Sequence, residues 1–211
     1  MHYNVTAADH GLPFDPFKAI VSPRPIGWIT SIDKEGRINC SPYSFFNAIS
    51  DKPHMVCFGS GGVKDAMAFA EETGEFTCSF VSWELRDAMN VTSAPLPRGE
   101  NEMAFAGLEA APSKFVKPPR VKASPAALEC KWLQTVPLTS LEGVTSYNLV
   151  IGQVVGMYIN DDFIENGIVN TGRMHPVMRG GYDQYFHVGE DQMFRMTRPP
   201  GGGNFNEGRK P

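Results

Sequence analysis

The densest chemistry in the chain sits in Ser60-Gly61-Gly62-Val63-Lys64-Asp65. These residues follow the apolar run Met55–Phe58 and precede a stretch with helical spacing, so a strand should give way to a helix here. Two glycines free the backbone, a hydroxyl and an ammonium stand beside them, and the first amides of a helix lack intrahelical acceptors. Such a turn suits a phosphate or a similar anion. The same residues also describe a plain helix start with a solvent lysine. Arg24 is the other cation of interest, because Ser22-Pro23-Arg24-Pro25 holds it on a stiff, extended support. It suits either a surface ion pair or an anion contact at the rim of a site.

Other reactive residue types form no recognisable constellation. The four cysteines, Cys40, Cys57, Cys78 and Cys130, are widely spaced, lack any CxxC and sit mostly in apolar runs. They are expected as reduced core residues. His2, His10, His54 and His187 are dispersed, and neither an HExxH pattern nor a carboxylate cluster suggests a metal or hydrolysis. His175 lies in Thr171-Gly172-Arg173-Met174-His175-Pro176, either as an exposed loop residue or lining a site.

The elements that must position these groups read as strands for the most part. Ile26–Ile32, Tyr43–Ile49 and Met55–Phe58 are apolar runs separated by turn residues, with Asp33-Lys34-Glu35-Gly36 as a clear turn. Val63–Thr73 changes period, placing Val63, Ala66, Met67 and Ala70 on one helical face, and Gly74 stops it. A strand over Glu75–Val81 follows, and Ser82 is placed to cap a second helix over Trp83–Asn90. Val91–Pro125 is a proline-rich excursion, longer than an ordinary connection, whose Phe105, Leu108, Phe115 and Val116 need cover. It should pack over a site or a dimer seam. Ala127–Thr139 and Ser146–Ile159 return to strands, and Gly152 and Gly156 point to bulges in a coiled barrel strand. The expected fold is mainly β, closed on itself to remove exposed edges, with short helices. Regular strand–helix alternation is lacking, which argues against a doubly wound sheet.

With 211 residues and 42% hydrophobic content, the chain fits a single domain over 1–211, with 1–18 and 199–211 as peripheral arms. Tyr3, Phe14 and Phe17 should staple the first arm to the surface. Lys plus Arg number 19 against 23 Asp plus Glu, a net charge of -4 that favours neither nucleic acid nor an acidic membrane. No secretory leader or spanning run is evident, so a cytoplasmic location is expected.

Several ordered blocks resemble one family. Ser22-Pro23-Arg24-Pro25-Ile26-Gly27-Trp28-Ile29, Ser41-Pro42-Tyr43-Ser44-Phe45-Phe46-Asn47-Ala48, Lys64-Asp65 and Thr73-Gly74-Glu75-Phe76 are similar to the flavin reductase-like family. The nearest branch includes flavoredoxin and the reductase component of nitrilotriacetate monooxygenase. Ser93-Ala94-Pro95-Leu96-Pro97, Pro118-Pro119-Arg120-Val121, Gly152-Gln153-Val154-Val155-Gly156 and Arg179-Gly180-Gly181-Tyr182 extend the likeness over roughly residues 15 to 198.

The resemblance implies an FMN-binding split barrel, a Greek-key β-barrel acting as a homodimer with each flavin near the seam. It implies FMN as cofactor, NADH or NADPH as hydride donor, and free flavin, a partner monooxygenase or another electron-acceptor protein as recipient. The chemistry would be carried by FMN, with no catalytic acid or base and no metal. Cofactor contacts carried onto this chain are Ser41, Tyr43, Ser44, Phe45 and Asn47 for the ring and ribityl chain, Thr30 for the ring edge, Arg24 as an anion contact at the rim, and Ser60 and Lys64 for the phosphate. Phe46 fits the core better than the cofactor. His175, Arg179 and Tyr182 are the substrate-side candidates. The chain departs from the branch at Ala66, where a threonine is usual, at Gln153, where a glutamate is common, and at Met157-Tyr158, where a histidine commonly follows. An FMN-binding electron-transfer protein with little NAD(P)H activity of its own is the alternative. A flavin-free barrel module or a heme-handling split barrel is more distant.

Overall fold

The computed structural model describes residues 1–199. The expected second arm, 199–211, lies outside the described residues except for Pro199. In chain order the elements begin with α1 (Phe17–Ile20), β1 (Arg24–Pro25), β2 (Gly27–Ile32), β3 (Ile38–Tyr43), β4 (Phe46–Ser50) and β5 (Met55–Gly61). Next come α2 (Asp65–Thr73), β6 (Glu75–Ser79), α3 (Arg86–Val91), α4 (Glu102–Phe105), β7 (Ala110–Ala111) and β8 (Arg120–Val121). The chain continues through β9 (Ala126–Thr139), β10 (Thr145–Ile159), β11 (Ile164–Glu165), β12 (Ile168–Val169), β13 (Val177–Arg179) and β14 (Tyr185–His187).

Seven strands form the main sheet in the order β3-β2-β6-β9-β10-β5-β4, every pair antiparallel. The two edge strands, β3 and β4, are consecutive in the chain and joined only by Ser44 and Phe45. So short a link rolls the sheet until its edges come together, and the Gly59 amide of β5 donates to the Phe45 carbonyl at 2.7 Å, carrying the β4–β5 ladder into the bend. The barrel interior holds Ile29, Tyr43, Phe58, Phe76 and Val150, with Ala66, Met67 and Ala70 of α2 plugging one side. Each large apolar side chain fully withdrawn from water contributes about 1.5–3 kcal/mol. A second cluster, around Trp28, Met89, Met103, Val121 and Val177, lies on the other face of β2. Both faces of β2 are therefore covered, which explains its nearly unbroken burial.

Gly152 and Gly156 fall at register shifts between β10 and β9, as their spacing predicts. A Cβ on Gly152 would stand 2.4 Å from the Phe76 ring, and one on Gly156 would stand 2.3 Å from the Phe115 ring. The Asp33–Gly36 turn also forms, with the Gly36 amide donating to the Asp33 carbonyl at 3.0 Å and Gly36 at φ +81. Gly74 ends α2 in the left-handed region, its amide donating to the Ala70 carbonyl at 2.9 Å. All four cysteines are free and buried.

Four local expectations need correcting. The run Tyr43–Ile49 is not one strand: Tyr43 closes β3, the chain bends at Ser44-Phe45, and β4 begins at Phe46. β3 itself escaped the sequence pattern because Asn39, Ser41 and Pro42 dilute its apolar alternation, and the proline is tolerated because β3 is an edge strand. Val63 lies before α2 and is exposed, since the turn carrying Lys64 precedes the first helical residue. Ser82 makes no side-chain cap; it bridges Pro176, and Trp83–Leu85 form a 3-10 turn before α3.

The excursion is anchored by acceptors on the barrel. Glu129 of β9 accepts from the amides of Lys114 (3.0 Å) and Phe115 (2.5 Å), and Glu75 of β6 accepts from the Lys117 amide at 2.7 Å and from the Lys131 ammonium. Val116 is buried, whereas Phe105 and Phe115 are exposed on the single chain. In the first arm, the Phe14 ring reaches Tyr182 at 5.9 Å, while Phe17 is exposed.

Candidate functional site

A cleft of about 540 Å³ opens beside the β3–β4 bend, within the range of cofactor pockets. Its walls come from that bend, the end of β5, the start of α2, the Ser93–Leu96 part of the excursion and the β1–β13 ladder. Phe45 and Tyr147 meet edge to face at 5.8 Å. Both rings lie against glycines of β5: a Cβ on Gly59 would be 3.1 Å from the Phe45 Cβ, and one on Gly61 would be 3.2 Å from the Tyr147 ring. Glycine at these alternate positions keeps that strand face low enough for a flat aromatic-walled slot. Beneath it, Tyr43 packs on Phe58 at 4.9 Å. Burial pushes the Tyr43 hydroxyl up to about 12, against the pull of a hydrogen bond with Ser60, so it stays protonated and neutral at physiological pH.

At one end of the slot stands Lys64, the N-cap residue of α2, with an extended backbone and an exposed side chain that makes no capping bond. The first amides of α2 therefore have no cap acceptor, and the helix dipole adds positive potential there. The turn before it is fixed by the Ser60 hydroxyl donating to the Gly62 carbonyl at 2.9 Å, with Gly62 at φ +73, where a side chain would be strained. Asp65 is neutralised by Arg98 at 2.9 Å and accepts weakly from the Gly99 amide at 3.4 Å.

Arg24, Arg179 and Lys18 also line the cleft. Arg24 is buried and donates to the carbonyls of Lys18 (2.6 Å), Val21 and Gly180 (2.8 Å), while its Nε has no partner. The surface ion pair entertained for Arg24 is thereby ruled out. Burial, and then the charge of Arg179, lower its pKa. Arg179 donates to the Tyr182 carbonyl and the Tyr185 hydroxyl.

On the remaining side Asn39, Ser41 and Glu102 line the cleft. The Glu102 carboxylate accepts from Asn39 Nδ2 at 2.7 Å and from the Cys40 amide at 2.9 Å. Burial raises its pKa, and those hydrogen bonds oppose the rise. Five cationic side chains thus face two carboxylates, of which Asp65 is paired and Glu102 hydrogen-bonded, and the cleft favours an anion.

Among the expected site residues, Arg24, Ser41, Tyr43, Ser44, Phe45, Lys64 and Arg179 come together on this cleft. Others do not. Thr30 is fully buried, its Oγ1 3.6 Å from Cys40 Sγ, because its position on β2 aims it away from the slot. Asn47 is exposed on β4, its Oδ1 accepting from the Ala48 amide at 2.9 Å. The Ser60 side chain is buried under the turn and acts on its shape. His175, at φ +47, faces Glu84 at 3.3 Å, and Tyr182, at φ +52, faces Phe14; neither lines the cleft. Phe46 packs against the barrel core, where a Cβ on Gly27 would lie 2.4 Å from its ring.

Sequence reasoning missed Asn39, Arg98, Glu102 and Tyr147. Asn101-Glu102 reads only as a helix start, which it also is, with Asn101 Oδ1 accepting from the Ala104 amide at 3.1 Å. Tyr147 is placed by its register opposite Gly61, which no local pattern discloses. Among the described residues, no group of three or more His, Cys, Asp or Glu side chains could hold a metal ion. No described helix is long and apolar enough to cross a membrane.

A rolled antiparallel barrel with an aromatic-walled, cationic cleft beside its β3–β4 bend defines a split-barrel protein with a pocket for an anionic ligand. Residues 21–178 match the model of the flavin reductase like domain, and the chain belongs to that family. An uncharacterized protein of Halalkalibacterium halodurans is 34% identical over 184 residues, covering 85% of this chain and 87% of its own. The crystal structure of nitrilotriacetate monooxygenase component B from Bacillus cereus is similar with a TM-score of 0.82 at 28% identity, over 93% of this chain and 98% of that one. Flavoredoxin of Desulfovibrio vulgaris (Miyazaki F) shares the fold, with a TM-score of 0.74 at 18% identity over 99% and 100% of the two chains. The protein is an FMN-binding oxidoreductase of the flavin reductase type, and the aromatic-walled slot with its glycine floor fits such a planar cofactor.

Proposed function

We propose that this chain catalyses hydride transfer from NADH or NADPH to bound FMN and passes the electrons to free flavin, a partner monooxygenase or another acceptor. The observation that carries this reading is the order of contacts along the cleft. Arg24 lies 5.9 Å from the Phe45 ring, Phe45 meets Tyr147, Tyr147 covers Gly61, and Lys64 follows at the start of α2. A planar, phosphorylated cofactor needs that sequence of cation, aromatic wall and anion seat. Lys64 and the first amides of α2 would hold the phosphate, with Ser60 shaping the turn. Phe45 and Tyr147 would wall the ring, and Ser41, Ser44 and the neutral Tyr43 hydroxyl would supply hydrogen bonds at its polar edge. The redox chemistry itself is supplied by the flavin when bound, and the side chains orient it and keep water from the ring.

The resemblance to a monooxygenase component B supports a partner monooxygenase as one recipient. An apolar groove of about 500 Å³ lined by Ile26, Phe46, Phe80, Leu128, Met157 and Met174 supports a homodimer, which sedimentation would test. The four free, buried cysteines support a reducing compartment, the cytoplasm.

The deciding experiment is anaerobic mixing of FMN-loaded protein with NADH and with NADPH. Bleaching of the visible flavin band within seconds is expected with at least one of them. Protein that holds FMN yet bleaches with neither would be an electron carrier instead, and protein that takes up no FMN would refute the cofactor assignment.

A further inference from the structure

A second cavity, of about 380 Å³, lies among the Trp83–Leu85 turn, α3 and the β13–β14 ladder, and Arg179 lines both this cavity and the cleft. Its volume falls within the range of small-molecule sites, about 300–1,000 Å³. Met89 and Val177 give it an apolar floor and are buried, while two large aromatics from separate elements stay in water beside it, Trp83 at 42% exposure and Tyr185 at 41%. Each ring carries a guanidinium: Arg86 lies 3.9 Å from the Trp83 ring centroid, and Arg179 lies 4.4 Å from that of Tyr185. Exposed aromatic rings and guanidinium planes are the groups on which nucleobases stack.

Polar groups at the same cavity fit the rest of an adenosine. The Asn90 amide offers the donor and acceptor that match the N6/N7 edge of adenine, and the exposed Asp183 carboxylate can accept from ribose hydroxyls. Arg86 is already engaged, with the Trp83 carbonyl at 2.7 Å and Asp87 at 3.3 Å. Arg179 has no carboxylate partner among the described residues; it donates to the Tyr182 carbonyl and the Tyr185 hydroxyl. Because it lines both cavities, a diphosphate crossing from one to the other would meet its charge.

With FMN in the cleft, a dinucleotide that lays its nicotinamide against the flavin has to seat its second nucleotide outside the flavin's own space. We infer that the cavity between Trp83 and Tyr185 takes the adenosine half of the NADH or NADPH donor, with Arg179 at the diphosphate. The inference deepens the hydride-transfer reading and rests on it for the identity of the ligand. A bare surface stack would account for Arg86 on Trp83, three residues apart, yet not for the second stack, Arg179 on Tyr185, at the same cavity.

The test compares reduction of FMN-loaded protein by NADH, by NADPH and by reduced nicotinamide mononucleotide, which lacks the adenosine half. The better dinucleotide should show a KM about tenfold or more below that of the mononucleotide. Trp83→Leu should raise the dinucleotide KM by about tenfold with kcat held, while the mononucleotide KM and the FMN affinity stay at the parent values. Trp83→Phe, which keeps a stacking ring, should recover most of the preference. Tyr185→Leu is the second variant, should Trp83→Leu fail to fold. Adenosine 5′-monophosphate serves as the binding probe: calorimetry should show saturable binding that competes with the dinucleotide and weakens by about tenfold in Trp83→Leu. Equal KM values for dinucleotide and mononucleotide in the parent, an equal loss for both in Trp83→Leu, or probe binding unchanged by both Trp83→Leu and Tyr185→Leu would overturn the subsite. Should neither dinucleotide bleach the flavin, the hydride-transfer reading fails separately, and calorimetry with adenosine 5′-monophosphate on parent and variants still decides whether the cavity holds an adenosine.

Discussion

Replacing Lys64 with alanine tests the phosphate seat directly. A charge-assisted hydrogen bond contributes about 1.5–3 kcal/mol. Lys64 is exposed, so water and salt screen it, and the lower end, about 1.5 kcal/mol, is appropriate. That corresponds to a fall in FMN affinity of about tenfold, with the α2 amides retaining the rest. The side chain makes no capping bond and no ion pair among the described residues, so the unloaded variant should match the parent within about 0.5 kcal/mol. With FMN present at a level well above Kd, tenfold weaker binding removes about 1.4 kcal/mol of ligand stabilisation. For a chain of this size the FMN-induced rise in Tm should shrink by about 3–6 °C. Fluorescence titration at low and at high salt reads the affinity, and the difference between parent and variant should narrow as salt rises. An unchanged Kd, or a drop equal at both salt levels, would refute the charge contact. A lower Tm in the unloaded variant would show that Lys64 acts on the fold.

Three further outcomes are expected. Gly152→Ala should cost about 1–3 kcal/mol, read from the urea midpoint, because the new Cβ would meet the fully buried Phe76 ring at 2.4 Å and the Lys131 carbonyl at 3.2 Å; an unchanged midpoint would mean that β10 can shift freely. Glu129→Ala should cost about 1–3 kcal/mol and speed hydrogen exchange at the Lys114 and Phe115 amides, which lose their shared acceptor; exchange at the parent rate would show that the loop is held by packing alone. Burial raises the pKa of Glu75, but hydrogen bonds from Lys131 and the Lys117 amide bring it net below its ordinary 4.5. The folded chain therefore binds fewer protons at this group, and its contribution is present above the ordinary value and lost as pH falls through the folded one. Glu75→Gln should flatten that acid limb of stability in urea midpoints, and an identical pH profile would exclude the linkage.

The fold was legible where short-range rules act. The Asp33–Gly36 turn, the Gly74 stop and the Gly152 and Gly156 bulges each follow from backbone freedom at a glycine or from turn chemistry, and each forms. β3 was not legible, because its burial comes from β2 on one side and from the rolled seam on the other, while its own residues include Ser41 and Pro42. The site divides in the same way. Ser41, Tyr43, Ser44, Phe45 and Lys64 stand in contiguous runs, and contiguous runs carry a resemblance well. Thr30 stands outside those runs on β2, and because side chains alternate along a strand it faces away from the side that Ile29 shares with Ser41. Asn47 stands in the Ser41–Ala48 run but lies exposed on β4 beyond the cleft lining.

By itself the sequence determined that a strand must yield to a helix at Gly61–Asp65, that Arg24 sits on a rigid support, and that the chain carries a flavin reductase-like set of blocks. Those properties depend on neighbours a few residues away. Only the tertiary structure decided that Tyr147 covers Gly61, that Glu102 closes the cleft from 63 residues beyond Asn39, and that Arg24 faces Arg179 across a ladder. Strand register and barrel closure set those distances, and both arise from burying the whole core at once.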